Sequence, residues 1–240
     1  MKILAIETAT EACSAALLIT DESDTDNKNS NIVSRFQLAP REHTQLILPM
    51  LDEVLEEANI QLKAVDAIAF GRGPGAFTGL RIAAGVAQGV ALSVDKPVIP
   101  VSTLAALALQ ASEQNGCNNG ENKTIVAALD ARMDEIYWGK FKVGDKDEGD
   151  QIILLGEEQV TKQANLLASI GNDSIIAIGN GWDVFDENLP DNISVIKNCF
   201  PAAKYIARLA LPLLKANDVV AVEDAQPVYI RNDVAKKSAK

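Results

Sequence analysis

Histidine is almost missing from this chain: 240 residues contain one, His43. A metalloprotease of the usual kind holds its metal with two neutral imidazoles on successive helical turns, so that chemistry is excluded. A serine or cysteine triad would have His43 as its sole imidazole base. Cysteine is scarce as well. Cys13, Cys117 and Cys199 are odd in number, widely separated, and form no Cys-x-x-Cys pair. That excludes a disulfide framework and a zinc cluster, and it points to a reducing compartment. Bases are in deficit, 22 against 33 acids, for a net charge of −11. The deficit is even: residues 1–100 hold 8 bases and 13 acids, the remainder 14 and 20. Such a surface repels phosphate at long range, which excludes an autonomous nucleic-acid platform. The cationic exception is the end of the chain, with Arg231, Lys236, Lys237 and Lys240. Long apolar runs are lacking too. The longest charge-free stretch, between Lys96 and Glu113, is broken by Pro97 and Pro100 and is too short to span a bilayer. The opening MKILAIETAT meets Glu7 too early for a signal peptide. Together these absences predict a soluble, cytoplasmic protein.

What is present suffices for a core: 48% hydrophobic residues beside 23% charged ones. Residues 2–6 are a β-rich run, Glu7-Thr8-Ala9-Thr10 a polar turn, and residues 13–19 a returning strand. Residues 21–30 read as a solvated, acid-rich loop tip. From 42 to 59, Leu46, Ile47, Met50, Leu51, Val54, Leu55 and Ala58 recur at threes and fours, the stripe of an amphipathic helix. Pro49 kinks that helix or marks its true first turn. A buried strand over 65–70 leads through Gly71-Arg72-Gly73-Pro74-Gly75 to a helix over 77–94 and a strand over 98–101. The second half offers strands over 123–129, 135–143, 152–155, 174–178 and 193–196, with helices over 162–170 and 201–215. Its first two strands flank another polar turn, Asp130-Ala131-Arg132-Met133-Asp134. An offset of 123 sets Ala5-Ile6-Glu7 on Ala128-Leu129-Asp130 and Glu11 on Asp134. Two α/β halves with matching openings predict a duplicated fold, joined around residues 100–122.

The sharpest local motif is GRGPGAFTGLR, residues 71–81, between a strand and a helix. Glycines there can bring backbone N–H groups to an anion, or simply let the helix pack closely on the sheet. Walker A spacing fails, because the residues five after Gly71, Gly73 and Gly75 are Ala76, Thr78 and Leu80. The dinucleotide fingerprint fits only superficially: the next strand ends at Val101-Ser102-Thr103 without an acid, and Pro74 removes a donor. Gly179-Asn180-Gly181 is a second glycine turn after a strand. Glu7, Thr8, Thr10 and Asp130 sit in turns after strands, where metal or phosphate ligands can stand, although short polar residues also occupy turns to satisfy the backbone. The helix over 79–94 is rich in small residues. Gly85 and Gly89, four apart, admit another backbone, either the protein's own sheet or a partner helix.

Taken together, MKILAIETAT-EACSAAL, REHTQLILPMLDEVL, DAIAFGRGPGAFTGLRIAAGVAQGVAL, LDARMDEIYWGKF and the late PVYIRND resemble the TsaB (formerly YeaZ) family, in order along nearly the whole chain. The resemblance implies a bacterial protein of the actin-like, ribonuclease-H-like superfamily with two α/β lobes. These would be residues 1–104, the partner-binding lobe, and residues 105–240, whose final helix would pack back on the first lobe. It implies a part in making threonylcarbamoyladenosine next to the tRNA anticodon. In related catalytic subunits, TsaD, a histidine pair holds a metal on the helix corresponding to REHTQLILP. Here that helix carries His43 and then Ile47, which implies a catalytically silent paralogue without cofactor or metal of its own. The implied partners are a TsaD-like catalytic subunit, a TsaE-like ATPase and, in isolation, a second copy. A partner interface leaves room for a nucleotide, and tRNA would be met only through the complex. The interface is expected on the helices holding Leu46, Met50, Arg81, Gly85, Gln88 and Gly89. Thr8, Thr10, Gly73, Gly75, Asp130 and Gly179 are the expected remnants of a nucleotide site. The competing reading is a small ATP-dependent kinase using those same turns.

Overall fold

The computed structural model describes residues 1–21, 30–114, 124–144, 152–171, 173–185 and 189–231. The β-rich opening forms β1 (Lys2–Glu7), antiparallel to β2 (Ala12–Ile19), which pairs in turn with β3 (Asn31–Leu38). The chain crosses through α1 (His43–Glu57) to β4 (Ala67–Gly73), parallel to β1, and through α2 (Phe77–Val94) to β5 (Val98–Ser102), parallel to β4. The sheet order is β3-β2-β1-β4-β5. After α3 (Thr103–Gln114) come β6 (Thr124–Arg132), β7 (Glu135–Val143), β8 (Ile152–Leu154) and β9 (Gln159–Lys162). Then follow α4 (Gln163–Ile170), β10 (Ile175–Ile178), β11 (Ile193–Ile196) and α5 (Ala203–Lys215). The second sheet runs β8-β7-β6-β10-β11, with β9 also on β7. Both sheets therefore place three antiparallel strands beside two parallel ones in the same order. The duplication suggested by the matching openings is a duplication of topology, in a two-lobed α/β fold.

Burial explains why β1 reads as an unbroken apolar run. Leu4 and Ile6 face a cluster with α1 and α2, while Ile3 and Ala5 face a cluster with α5. A strand covered on both faces needs apolar side chains at every position. Each buried Leu or Ile contributes roughly 1.5–3 kcal/mol. On the α5 side, Ala203, Ile206, Ala207 and Ala210 close over Ala16, Leu18 and Ile99. Helix α3 serves two cores: Ala106 and Leu109 join the α5 cluster, whereas Leu104, Leu107, Ala108 and Ala111 join that of the second sheet. A division between residues 104 and 105 thus falls inside α3, and the stretch read as a joint holds a buried helix.

Other details also depart from the sequence reading. Strand β4 runs on through Gly71-Arg72-Gly73, so the turn before α2 is only Pro74-Gly75-Ala76. Helix α1 starts at His43 and carries Pro49 within it. Edge strand β3 and strand β9 lie where no strand was predicted. Gly179-Asn180-Gly181 opens a 3-10 turn, Asn180–Trp182. Helix α2 is long and apolar enough to cross a membrane by length and composition alone. Its Leu80, Ala83, Ala84, Ala87 and Ala91 are buried, however, and most of these join the core with β1 and β4. Most of the acidic loop tip, Cys117, Lys236, Lys237 and Lys240 lie outside the described residues.

Candidate functional site

Between the lobes lies a cleft of about 270 Å3, bounded by the turn after β1, the turn before α2, the β6–β7 turn and residues 228–231. Of the expected nucleotide-site residues, Thr10, Gly75 and Asp130 line this cleft and Thr8, Gly73 and Gly179 do not, and the protein itself engages many of their polar atoms. Buried Thr8 donates its hydroxyl to the Gly79 carbonyl at 2.8 Å. The Thr10 hydroxyl accepts from Ala12 N at 3.2 Å, and the Thr10 carbonyl accepts from His43 Nε2 at 2.8 Å. Asp130 accepts from the Arg132 amide at 2.8 Å and donates its own amide to Asn180 Oδ1 at 3.1 Å. Arg132 lies 3.1 Å from Asp130 and 3.1 Å from Glu11, tying the β6–β7 turn to the first lobe.

The glycines are likewise filled by backbone. A Cβ on Gly75 would stand 2.6 Å from Ala9, one on Gly79 would collide with the Thr8 carbonyl, and one on Gly73 would press on Leu80 and the Val228 carbonyl. Gly179 has φ +100° and lies against the Ala128 carbonyl. At Gly75 and Gly79 this segment packs tightly on the turn after β1, the close packing that is one of the two readings of this motif.

Glu7 does not line the cleft. Its carboxylate is fully buried beneath Gly71, accepting from Ala9 N at 2.6 Å and from the Thr103 hydroxyl at 3.0 Å. Burial pushes its pKa up to about 7, although these bonds and the Thr8 amide pull the other way. His43 and Ile47, one helical turn apart on α1, do not fit a metal site: His43 Nε2 is hydrogen-bonded and Ile47 is a core residue. Among the described residues no group of three His, Cys, Asp or Glu side chains could hold a metal ion.

The C-terminal segment closes one side of the cleft, a role its sequence does not announce. Val228 N donates to the Arg72 carbonyl at 2.8 Å. Tyr229 packs 5.6 Å from the Phe77 ring and accepts from Arg81 Nε at 3.1 Å, while the Arg81 guanidinium lies 3.7 Å over Phe77. Arg231 pairs with Glu135. Behind the cleft, Glu158 accepts from the Ser102 hydroxyl and lies 3.6 Å from Arg72, a second bond between lobes.

The outer surface of α1 and α2 divides the expected interface residues. Met50 is a core residue, Leu46 is half-buried against the same core, and Gln88 donates to the Ala225 carbonyl at 3.2 Å. Arg81, Gly85 and Gly89 are exposed. A Cβ on Gly85 or Gly89 would meet nothing within 4 Å, so neither glycine is needed for packing on the sheet. Sequence reasoning missed Leu48, 52% exposed, and Leu92, 73% exposed. Leu92 was within reach: 85, 89 and 92 follow one helical face, opposite the buried alanines.

Comparison with known proteins identifies the family. Residues 32–237 match the family model TsaD, described as tRNA N6-adenosine threonylcarbamoyltransferase. A tRNA threonylcarbamoyladenosine biosynthesis protein TsaB of Haemophilus influenzae is 38% identical, covering 99% of this chain and 96% of the relative. Its Escherichia coli namesake is also 38% identical, covering 99% and 97%. The solved structure of YeaZ from Pseudomonas aeruginosa superimposes with a TM-score of 0.80 at 37% identity, over 95% of this chain and 99% of that one. At that identity over nearly its whole length, the chain belongs to the TsaB family of tRNA threonylcarbamoyladenosine biosynthesis proteins.

Proposed function

We propose that this chain is a non-catalytic partner subunit in tRNA threonylcarbamoyladenosine formation, acting in the cytoplasm. It pairs with a TsaD-like catalytic subunit through the outer face of α1 and α2, and a TsaE-like ATPase joins the pair. Without that partner, two copies associate through the same face, so it serves one molecule at a time. tRNA is met through the assembly. The supporting observation is the exposed strip Gly85–Gly89–Leu92, whose glycines meet nothing within the chain, together with Leu48 exposed on α1. Small residues at i and i+4 let a second helix approach closely, and flanking leucines supply apolar area. The kinase reading draws less support, because the Thr8 and Thr10 hydroxyls and Asp130 are hydrogen-bonded within the protein, and Gly75 and Gly79 pack tightly on the turn after β1.

The test is Gly89→Leu, followed by sedimentation alone and with the TsaD-like subunit, beside melting curves. The variant stays folded, with a melting temperature no lower than the parent's, while self-association and pairing weaken together, by about 1–3 kcal/mol if overpacking acts as it does in cores. Unchanged association beside a lowered melting temperature rejects the assignment.

A further inference from the structure

Helix α2 carries Phe77, Arg81, Gly85 and Gly89 at successive steps of four, and side chains so spaced form one ridge along a helix. The two glycines are the low part of this ridge. Its high part, Phe77 and Arg81, is built up by the C-terminal segment. The Tyr229 ring packs on that of Phe77, its hydroxyl accepts from Arg81 Nε, and the Arg81 guanidinium lies over the Phe77 ring. Folding gains little from this cluster. Phe77 is 47% exposed, Tyr229 is 43% exposed, Arg81 is exposed, and none of the three joins a hydrophobic core of the described residues. The tyrosine is nevertheless held from both sides: Val228 N donates to the Arg72 carbonyl at 2.8 Å, and Arg231 pairs with Glu135. A half-exposed tyrosine fixed in this way offers a large, rigid contact at low cost in conformational entropy. That property makes tyrosine frequent among the anchors of protein interfaces.

We infer that Tyr229, with Phe77, is an anchor of the partner surface, one end of a contact that runs along α2 to Gly89. The inference rests on the pairing proposed above. The occupant is a helix of the TsaD-like subunit. The TsaD model matches residues 32–237 of this chain, a span that holds α1, α2 and Tyr229. A TsaD-like subunit therefore has counterparts of these helices to lay against them. Phe77 and Gly85 are eight residues apart, about 12 Å along the helix axis. A partner helix inclined at about 20° to α2 stays in touch over that length. Its backbone comes close at the glycines, and one of its apolar side chains covers the Tyr229 ring. Arg81 then acts chiefly by holding that ring in place.

The test is isothermal titration calorimetry of the full chain with the TsaD-like subunit, beside melting curves of each variant. Tyr229→Ala weakens pairing about tenfold or more, the loss expected of an anchor, and keeps the parent's melting temperature. Tyr229→Phe retains the ring and most of the affinity. Phe77→Ala acts as Tyr229→Ala does, and it decides the matter should the latter melt early. Met133→Ala, in the exposed β6–β7 turn across the cleft, leaves pairing unchanged. Pairing weakened by Gly89→Leu yet unmoved by Tyr229→Ala and Phe77→Ala overturns the inference and leaves the α1–α2 pairing standing. Pairing indifferent to Gly89→Leu, or no pairing by the parent chain, overturns the α1–α2 face itself and this inference with it. Loss in Tyr229→Ala and Met133→Ala alike, with Gly89→Leu harmless, moves the partner onto the cleft and overturns both equally.

Discussion

Glu7 should make this protein lose stability as pH rises, the reverse of a paired surface carboxylate. Its side chain is fully buried, and its pKa lies near 7 in the folded chain against 4.5 for an unperturbed glutamate. Between those values the folded state keeps a proton that the unfolded state has released. The stabilisation is complete below pH 4.5 and disappears as pH climbs through 7. At about 1.4 kcal/mol for each pH unit, the difference amounts to about 3 kcal/mol. Glu7→Gln removes the titration while keeping the shape. Its amide oxygen can still accept from Ala9 N, and its NH2 can donate to the Thr103 hydroxyl, which rotates to receive it. Urea unfolding of both proteins from pH 5 to 8.5 isolates the effect, because every other group cancels in the difference. The stability of the wild type relative to Glu7→Gln should fall by about 2–3 kcal/mol across that range. A difference independent of pH, or one moving in favour of the wild type, refutes the assignment of a protonated carboxyl at this position.

Two substitutions in α2 should act with opposite sign. Gly79→Ala drives a methyl into the Thr8 carbonyl and should lower the melting temperature, at a cost of about 1–3 kcal/mol. Gly85→Ala meets open space and should raise it, by up to about 1 kcal/mol of helix propensity. Equal shifts in differential scanning calorimetry would contradict this placement of the helix. For the isolated chain, tRNA binding in filter assays should be weak and lost with modest added salt, because a net charge of −11 leaves only a few phosphate contacts to be made. A salt-resistant complex would contradict it.

How well the sequence could be read depended on how many faces of each element are covered. Helix α2 has a buried alanine face and an exposed glycine face, and its approximate extent was legible and matches Phe77–Val94. Helix α3 is packed on two sides, so Leu104, Ala106, Leu107, Ala108 and Leu109 are all buried and no polar face marks the period. Edge strand β3 erred the other way: with Phe36 and Leu38 half exposed, it has no buried alternation to reveal it. Gly71 was read as loop because glycine usually punctuates, yet it lies inside β4, where its missing side chain leaves room for the Glu7 carboxylate. The cleft was legible in its turns. Its closure by Tyr229 and Arg231 was not, since those contacts join residues 148 and 96 positions apart.

Helix α5 sets an order on how the protein can be made. The first sheet is complete in strands once Ser102 has been synthesised, yet Ile3, Ala5, Ala16 and Leu18 are covered by residues 203–211, about a hundred positions later. Until those emerge, a nascent chain carries a finished sheet with one greasy face bare. The N-terminal lobe is therefore not a unit that ripens on the ribosome ahead of the rest. A fragment ending at residue 104 would lack its own roof and should clump, whereas the full chain seals itself late.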